Sequence, residues 1–118
     1  MLLAGRRLLV VEDDLWILTD LQHMLERAGA ETICTTSLSE GLEVMDRPLD
    51  AAVLDVRIGE SLVFPIAKRL MDRGVPIVFH TAVSNFDFDG INQPQVKILS
   101  KPASEPLLLH SIKECVEG

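Results

Sequence analysis

Tyrosine is absent from this 118-residue chain and aromatic residues make up only 4% of it, so the core is expected to be aliphatic, built from Leu, Val, Ile and Ala. Cysteine is almost as scarce. Cys34 and Cys115 lie far apart with no Cys or His at metal spacing, which argues against zinc and reads as buried thiols of a reduced, intracellular protein. Positive charge is short as well: 11 Lys and Arg stand against 18 Asp and Glu, and the net charge of -7 argues against a general nucleic-acid binder. No apolar run approaches the ~20 residues needed to cross a bilayer. The opening Met1 to Arg7 places its charges after its apolar residues, the reverse of a secretion signal, so the expected location is the cytoplasm. What is present is a hydrophobic content of 47%, enough for one core, in a length that suits one domain spanning residues 1–118.

Short aliphatic runs alternate with amphipathic stretches. Leu8-Leu9-Val10-Val11, Thr32-Ile33-Cys34, Ala51-Ala52-Val53-Leu54, Ile77-Val78-Phe79 and Val96-Lys97-Ile98-Leu99 read as five strands. Between them, Leu18, Leu21, Leu25 and Ala28 predict a first helix that stops at Gly29. A second opens near Ser37 or Ser39, and a third covers roughly Leu62 to Met71. A last helix is capped by Ser104-Glu105 and carries Leu108, Ile112, Cys115 and Val116. The stretch from Ala82 to Gln95, with Asn85, Asp87, Asp89, Gly90, Asn92 and Pro94, predicts a short or irregular fourth helix. Trp16 is expected to pack along the first helix. The pattern predicts a doubly wound α/β fold with a parallel sheet, right-handed crossovers and helices on both faces.

In such sheets, ligands bind beyond the carboxyl ends of the strands. The residues leaving the strands here are Glu12-Asp13-Asp14, then Asp55, Thr81 and Lys101. With the first and third strands adjacent, Glu12, Asp13 and Asp55 converge. Three acids need a counterion, and oxygen donors of this kind suit Mg²⁺. Lys101 and Thr81 bring an ammonium and a hydroxyl for phosphoryl oxygens, and a carboxylate can itself be the nucleophile. Asp14 reads as the cap of the first helix rather than as a ligand.

The blocks Leu9-Val10-Val11-Glu12-Asp13-Asp14, Val53-Leu54-Asp55, Phe79-His80-Thr81-Ala82 and Leu99-Ser100-Lys101-Pro102 resemble the signature blocks of response-regulator receiver domains, over essentially the whole chain. The resemblance implies a flavodoxin-like sheet of order 2-1-3-4-5. It implies phosphorylation of Asp55 by the phosphohistidine of a histidine kinase or histidine phosphotransfer protein, in two-component signalling. It also implies Mg²⁺ or Mn²⁺ held by Asp13 and Asp55, by the backbone carbonyl of Arg57, and by Glu12 through water. Thr81 and Lys101 then bind the phosphoryl group, and the Lys101-Pro102 bond is cis. The chain is expected to be a stand-alone receiver without an output domain, a phosphoacceptor rather than a turnover enzyme. Its output is expected through binding to a downstream protein, with neither nucleic acid nor membrane as partner.

The pattern also departs from that family. Ile98 occupies a position where many receivers carry an aromatic switch residue, so the segment from Ala82 to Gln95 is the expected route of signalling. Ile58-Gly59-Glu60-Ser61 lacks the Pro often found in that loop, and His80 and Ala82 replace small residues. His80 should point away from Thr81 and pack beneath a helix, while His23 and His110 read as solvated. Leu107-Leu108-Leu109 offers more apolar surface than one inward face uses, a candidate homodimer surface. Three other classes remain: a pseudo-receiver interaction module, an aspartate-nucleophile phosphatase, and a nucleotide or flavin module. Asp55-Val56-Arg57 lacks the second acid typical of the phosphatase, and no Gly-rich loop follows the first strand.

Overall fold

Leu8-Leu9-Val10-Val11 has no polar residue on either alternating face, so it must be covered from both sides. In the computed structural model, which describes residues 1–83, 85–88 and 92–118, it lies in β1 (Arg7–Val11), inside a five-stranded parallel sheet. The chain continues through α1 (Leu15–Arg27), β2 (Glu31–Thr35), α2 (Leu38–Val44), β3 (Ala51–Leu54), β4 (Arg57–Ile58), β5 (Ser61–Leu62), α3 (Phe64–Asp72), β6 (Ile77–Thr81), β7 (Val96–Ser100) and α4 (Glu105–Glu117). The sheet runs β2-β1-β3-β6-β7, the expected 2-1-3-4-5 order once the separate β4-β5 pair is set aside. Val11 lies beside both Thr35 and Leu54, Leu54 beside Phe79, and Thr81 beside Ser100, so the carboxyl ends finish nearly level. That alignment brings the strand-end residues together.

The sheet separates two apolar layers. Leu9, Val11, Ala52, Leu54, Ile77 and Phe79 face α2 and α3, where Ile66, Ala67 and Leu70 are buried. Leu8, Val10, Ala51, Val53 and Val78 face α1 and α4, through Leu18, Leu21, Leu25, Leu108 and Ile112. Local signals set the helix ends. The Asp14 carboxylate accepts from the amides of Trp16 and Ile17, and Gly29, at φ 98°, supplies the left-handed residue just past α1. Ser37 caps α2 through the Glu40 amide, and Glu40 reaches back to the Thr36 amide.

Three expectations need correction. The core is not wholly aliphatic: all four phenylalanines gather in one cluster, with Phe64 and Phe88 stacked at 5.4 Å and Phe79 meeting Phe86 edge-on at 5.4 Å. Phe86 and Phe88 both reach that cluster, a two-residue spacing that suits extended chain rather than a helix. Accordingly, no described residue between β6 and β7 is helical, and the expected fourth helix is an irregular segment there; Ser84, Asp89, Gly90 and Ile91 of it lie outside the described residues. Finally, Trp16 does not pack on a helix. It is 85% exposed, because the Asp14 cap places Leu15 and Trp16 on the opening turn while Leu18, Leu21 and Leu25 turn inward.

Candidate functional site

Five strand-end residues are assembled at the carboxyl edge of the sheet. Glu12 follows β1 and Asp55 follows β3, and the Asp55 amide donates to the Val11 carbonyl at 3.0 Å, which locks the two strand ends together. Lys101 follows β7, and its own amide donates to the Thr81 carbonyl at 3.0 Å. Its side chain turns inward: Nζ lies 2.7 Å from Asp55 Oδ2 and 2.5 Å from Glu12 Oε1. Carboxylate oxygens of Glu12, Asp13 and Asp55 all lie within 4.8 Å of one another.

Consecutive acids leave the strand in opposite directions. Glu12 is buried, with Oε2 accepting from the Asp14 amide at 3.1 Å and Oε1 in contact with the Lys101 ammonium. Burial pushes its carboxyl above the usual range, against the pull of Lys101 and the Asp14 amide. Asp13 is exposed, and Oδ2 accepts from the Gly59 amide at 2.7 Å. Desolvation would raise Asp13, but the hydrogen bonds, led by that from Gly59, outweigh it and hold the carboxyl below its ordinary value. For Lys101, desolvation is likewise outweighed by the bonds to Asp55 and Glu12, and its ammonium titrates higher than usual.

The Gly59 amide was not foreseen. It belongs to the β4-β5 hairpin, in which Ile58 pairs with Ser61 and the Val63 amide closes onto the Val56 carbonyl at 2.9 Å. Gly59 sits at φ 60° and Glu60 has no positive φ, the pattern of a turn with glycine first, well suited to a tight hairpin. This hairpin stands where the family's loop often carries a Pro. Arg57 opens it two residues past Asp55, with an exposed side chain. "Asn-Gly" or "Asp-Gly" would have announced such a turn; Ile58-Gly59-Glu60-Ser61 gives only the glycine.

Thr81 is buried, and its Oγ1 accepts from the Val83 amide at 3.1 Å, which leaves the hydroxyl proton for another acceptor. His80 lies on the opposite side of the strand, also buried, with Nε2 accepting from the Ala103 amide at 3.3 Å. The Lys101-Pro102 bond is cis. His23 and His110 are exposed, as expected, and both cysteines are free, with Cys34 only half-buried. Asp14 caps α1 and takes no part in the acid cluster. A cavity of about 390 Å³ opens at the far end of the sheet; of its charged lining residues, Arg7 pairs with Glu31, Asp50 pairs with Arg6, and Arg73 donates to the Met45 and Arg47 carbonyls.

The donor set fits a hard divalent cation. Three carboxylates, from Glu12, Asp13 and Asp55, face one ammonium, from Lys101.

No family model matches the chain. Among solved structures, a response regulator receiver protein from Sinorhizobium medicae WSM419 superposes with a TM-score of 0.85 at 22% identity, covering 100% of this chain and 98% of that one. The receiver domain of a sensor histidine kinase from Pseudomonas aeruginosa PAO1, with magnesium in its active-site cleft, gives 0.80 at 23% identity, over 98% and 100%. This chain has the fold of a response-regulator receiver domain. A sensor protein from Polaromonas sp. JS666 shares that receiver fold at 28% identity and a TM-score of 0.79, over 96% and 97%. The uncharacterized transcriptional regulatory protein YbdJ of Bacillus subtilis (strain 168) is 33% identical over 87 residues, 72% of this chain. The matched stretch spans 39% of that relative's length. No helix among the described residues is long and apolar enough to cross a membrane.

Proposed function

We propose that Asp55 is the phosphoacceptor of a two-component phosphorelay, taking its phosphoryl group from a phosphohistidine. The observation that carries this reading is the position of Lys101, whose ammonium touches both Asp55 and buried Glu12 beside the exposed Asp13 carboxylate. A carboxylate oxygen of Asp55 attacks phosphorus, the P–N bond to the donor imidazole breaks, and that nitrogen keeps the bonding pair. An acyl phosphate forms on Asp55.

The chain's own groups are arranged for that transfer. Lys101, already at 2.7 Å from Asp55, needs little movement to pair with the incoming phosphoryl oxygens. Thr81 can turn its free hydroxyl proton to the same group. Asp13, Asp55, the Arg57 carbonyl and Glu12 (through water) would hold Mg²⁺ or Mn²⁺, which would neutralise charge on the phosphoryl oxygens. Leu15, Trp16 and Leu62, all exposed on elements tied to Asp13, give an apolar rim for the phosphohistidine-bearing partner. The domain is read as a phosphoacceptor that signals by binding, not as a turnover enzyme.

Incubation with acetyl phosphate and Mg²⁺, followed by intact-mass measurement, tests the reading. One added phosphoryl group is expected, absent without the metal and absent in Asp55→Ala. No adduct on the wild-type chain turns the reading to a pseudo-receiver, and rapid turnover of many phosphoesters turns it to a phosphatase.

A further inference from the structure

Lys101 does its work from the loop that joins β7 to α4, and packing alone holds that loop poorly. A cavity of about 180 Å³ lies against it, walled by Ile17, Leu21 and Met24 of α1 and by Lys101, Pro102 and Ala103. A loop backed by open space is fixed by its hydrogen bonds. Two come from neighbouring residues of β6: the Thr81 carbonyl accepts from the Lys101 amide at 3.0 Å, and His80 Nε2 accepts from the Ala103 amide at 3.3 Å. They grip the chain on either side of Pro102.

The ring state of His80 follows from this bond. Only an unprotonated Nε2 can accept from an amide, so the neutral ring carries its proton on Nδ1. Nδ1 is buried and has no hydrogen-bond partner among the described residues. A buried donor without a partner costs stability, a cost that an apolar residue at this position would not carry. Burial and the nearby Lys101 charge both hold the imidazole below its ordinary pKa, in the acceptor form that the bond requires.

We propose that His80 is a positioning residue for Lys101: its Nε2 clamps the Ala103 amide, fixing the Lys101-Pro102-Ala103 loop so that the ammonium reaches Asp55. The proposal rests on the reading of Asp55 as phosphoacceptor. His80 touches neither the phosphoryl group nor the acids that would hold the metal, and acts through the loop alone.

Wild-type protein, His80→Gln and His80→Leu are compared in two measurements. With acetyl phosphate and Mg²⁺, followed by intact mass, His80→Leu is expected to acquire its phosphoryl group about tenfold more slowly, less than the roughly 100-fold that a misplacement of about 1 Å can cost. His80→Gln, whose amide oxygen can accept the same N–H, restores the rate. In the protein without acetyl phosphate, the Ala103 amide proton resonance moves upfield in His80→Leu and returns in His80→Gln. Mg²⁺ affinity, read from Trp16 fluorescence, stays at the wild-type value in both variants. A leucine variant as fast as wild type, a glutamine variant as slow as leucine, or a Mg²⁺ affinity that falls in step with the rate overturns the clamp. If the wild-type protein takes no phosphoryl group at all, the reading of Asp55 fails by itself. The Ala103 resonance then still decides the clamp, an unmoved resonance in His80→Leu counting against it.

Discussion

Glu12 and Asp13 are neighbours in sequence with opposite electrostatic fates, and His80 and Thr81 are a second pair of neighbours with different surroundings, two strands away in the sheet. At a strand end, successive side chains point to opposite faces, so the two members of each pair meet different surroundings. Glu12 and His80 are each displaced by burial toward their neutral forms. For His80 this fixes the sign of a pH effect. Its folded pKa lies below the unfolded value of 6.5, so its contribution to stability is present above pH 6.5 and is lost as pH falls toward the folded pKa. The groups around it are Lys101, which opposes protonation, and Asp55, which favours it, with Asp20 at the cavity wall. Urea unfolding followed between about pH 7.5 and pH 5.5 is expected to show a decline in stability that His80→Gln removes in part. An unchanged slope in that variant places the decline on other groups. The five candidate site residues were legible in the sequence because each lies within two residues of the end of an apolar run. The Gly59 and Val83 amides were not, since backbone donors in loops leave no trace in residue type.

Elements were legible where periodicity is strong and obscure where a loop does the packing. All five sheet strands and the four described helices follow from aliphatic runs, helical spacing and caps such as Asp14, Ser37 and Ser104. The segment after β6 carries poor helix formers, and two phenylalanines at an interval of two explain what it does instead. Phe88, only 7% exposed, stacks on Phe64 and meets Phe79 at 5.6 Å, so one side chain ties this segment to α3 and to the strand that carries Thr81. Phe88→Ala is expected to cost about 3 kcal/mol in urea unfolding, the ordinary range for emptying a buried aromatic site. A loss below about 1 kcal/mol would mean that the segment contributes little to the fold. The hairpin was missed for a related reason: Leu62 reads as a helix residue by spacing, yet it pairs across from Arg57 and remains 45% exposed.

For the molecule as a whole, the acid cluster is a local concentration of a general excess, a net charge of -7. Like charges brought together on folding oppose the compact state, and Lys101 offsets only part of that repulsion at the site. A cation that binds the folded cluster and not the unfolded chain therefore stabilises the fold by mass action. At one hundred times its dissociation constant, Mg²⁺ contributes about 2.7 kcal/mol, which for a domain of this size raises Tm by roughly 10 °C. General screening must be separated from site binding, because added ions of any kind weaken repulsion between exposed carboxylates within a Debye length. Thermal unfolding in MgCl₂ is therefore compared with NaCl at equal ionic strength, for wild type and Asp13→Asn. The expected outcome is a large Mg²⁺-specific rise in the wild type and a much smaller one in the variant. Asp13 is exposed and held by the Gly59 amide, so its replacement should disturb the fold little by itself. Equal shifts in the two salts would mean that the cluster is only a surface charge, and equal Mg²⁺ shifts in the two proteins would remove Asp13 from the metal site.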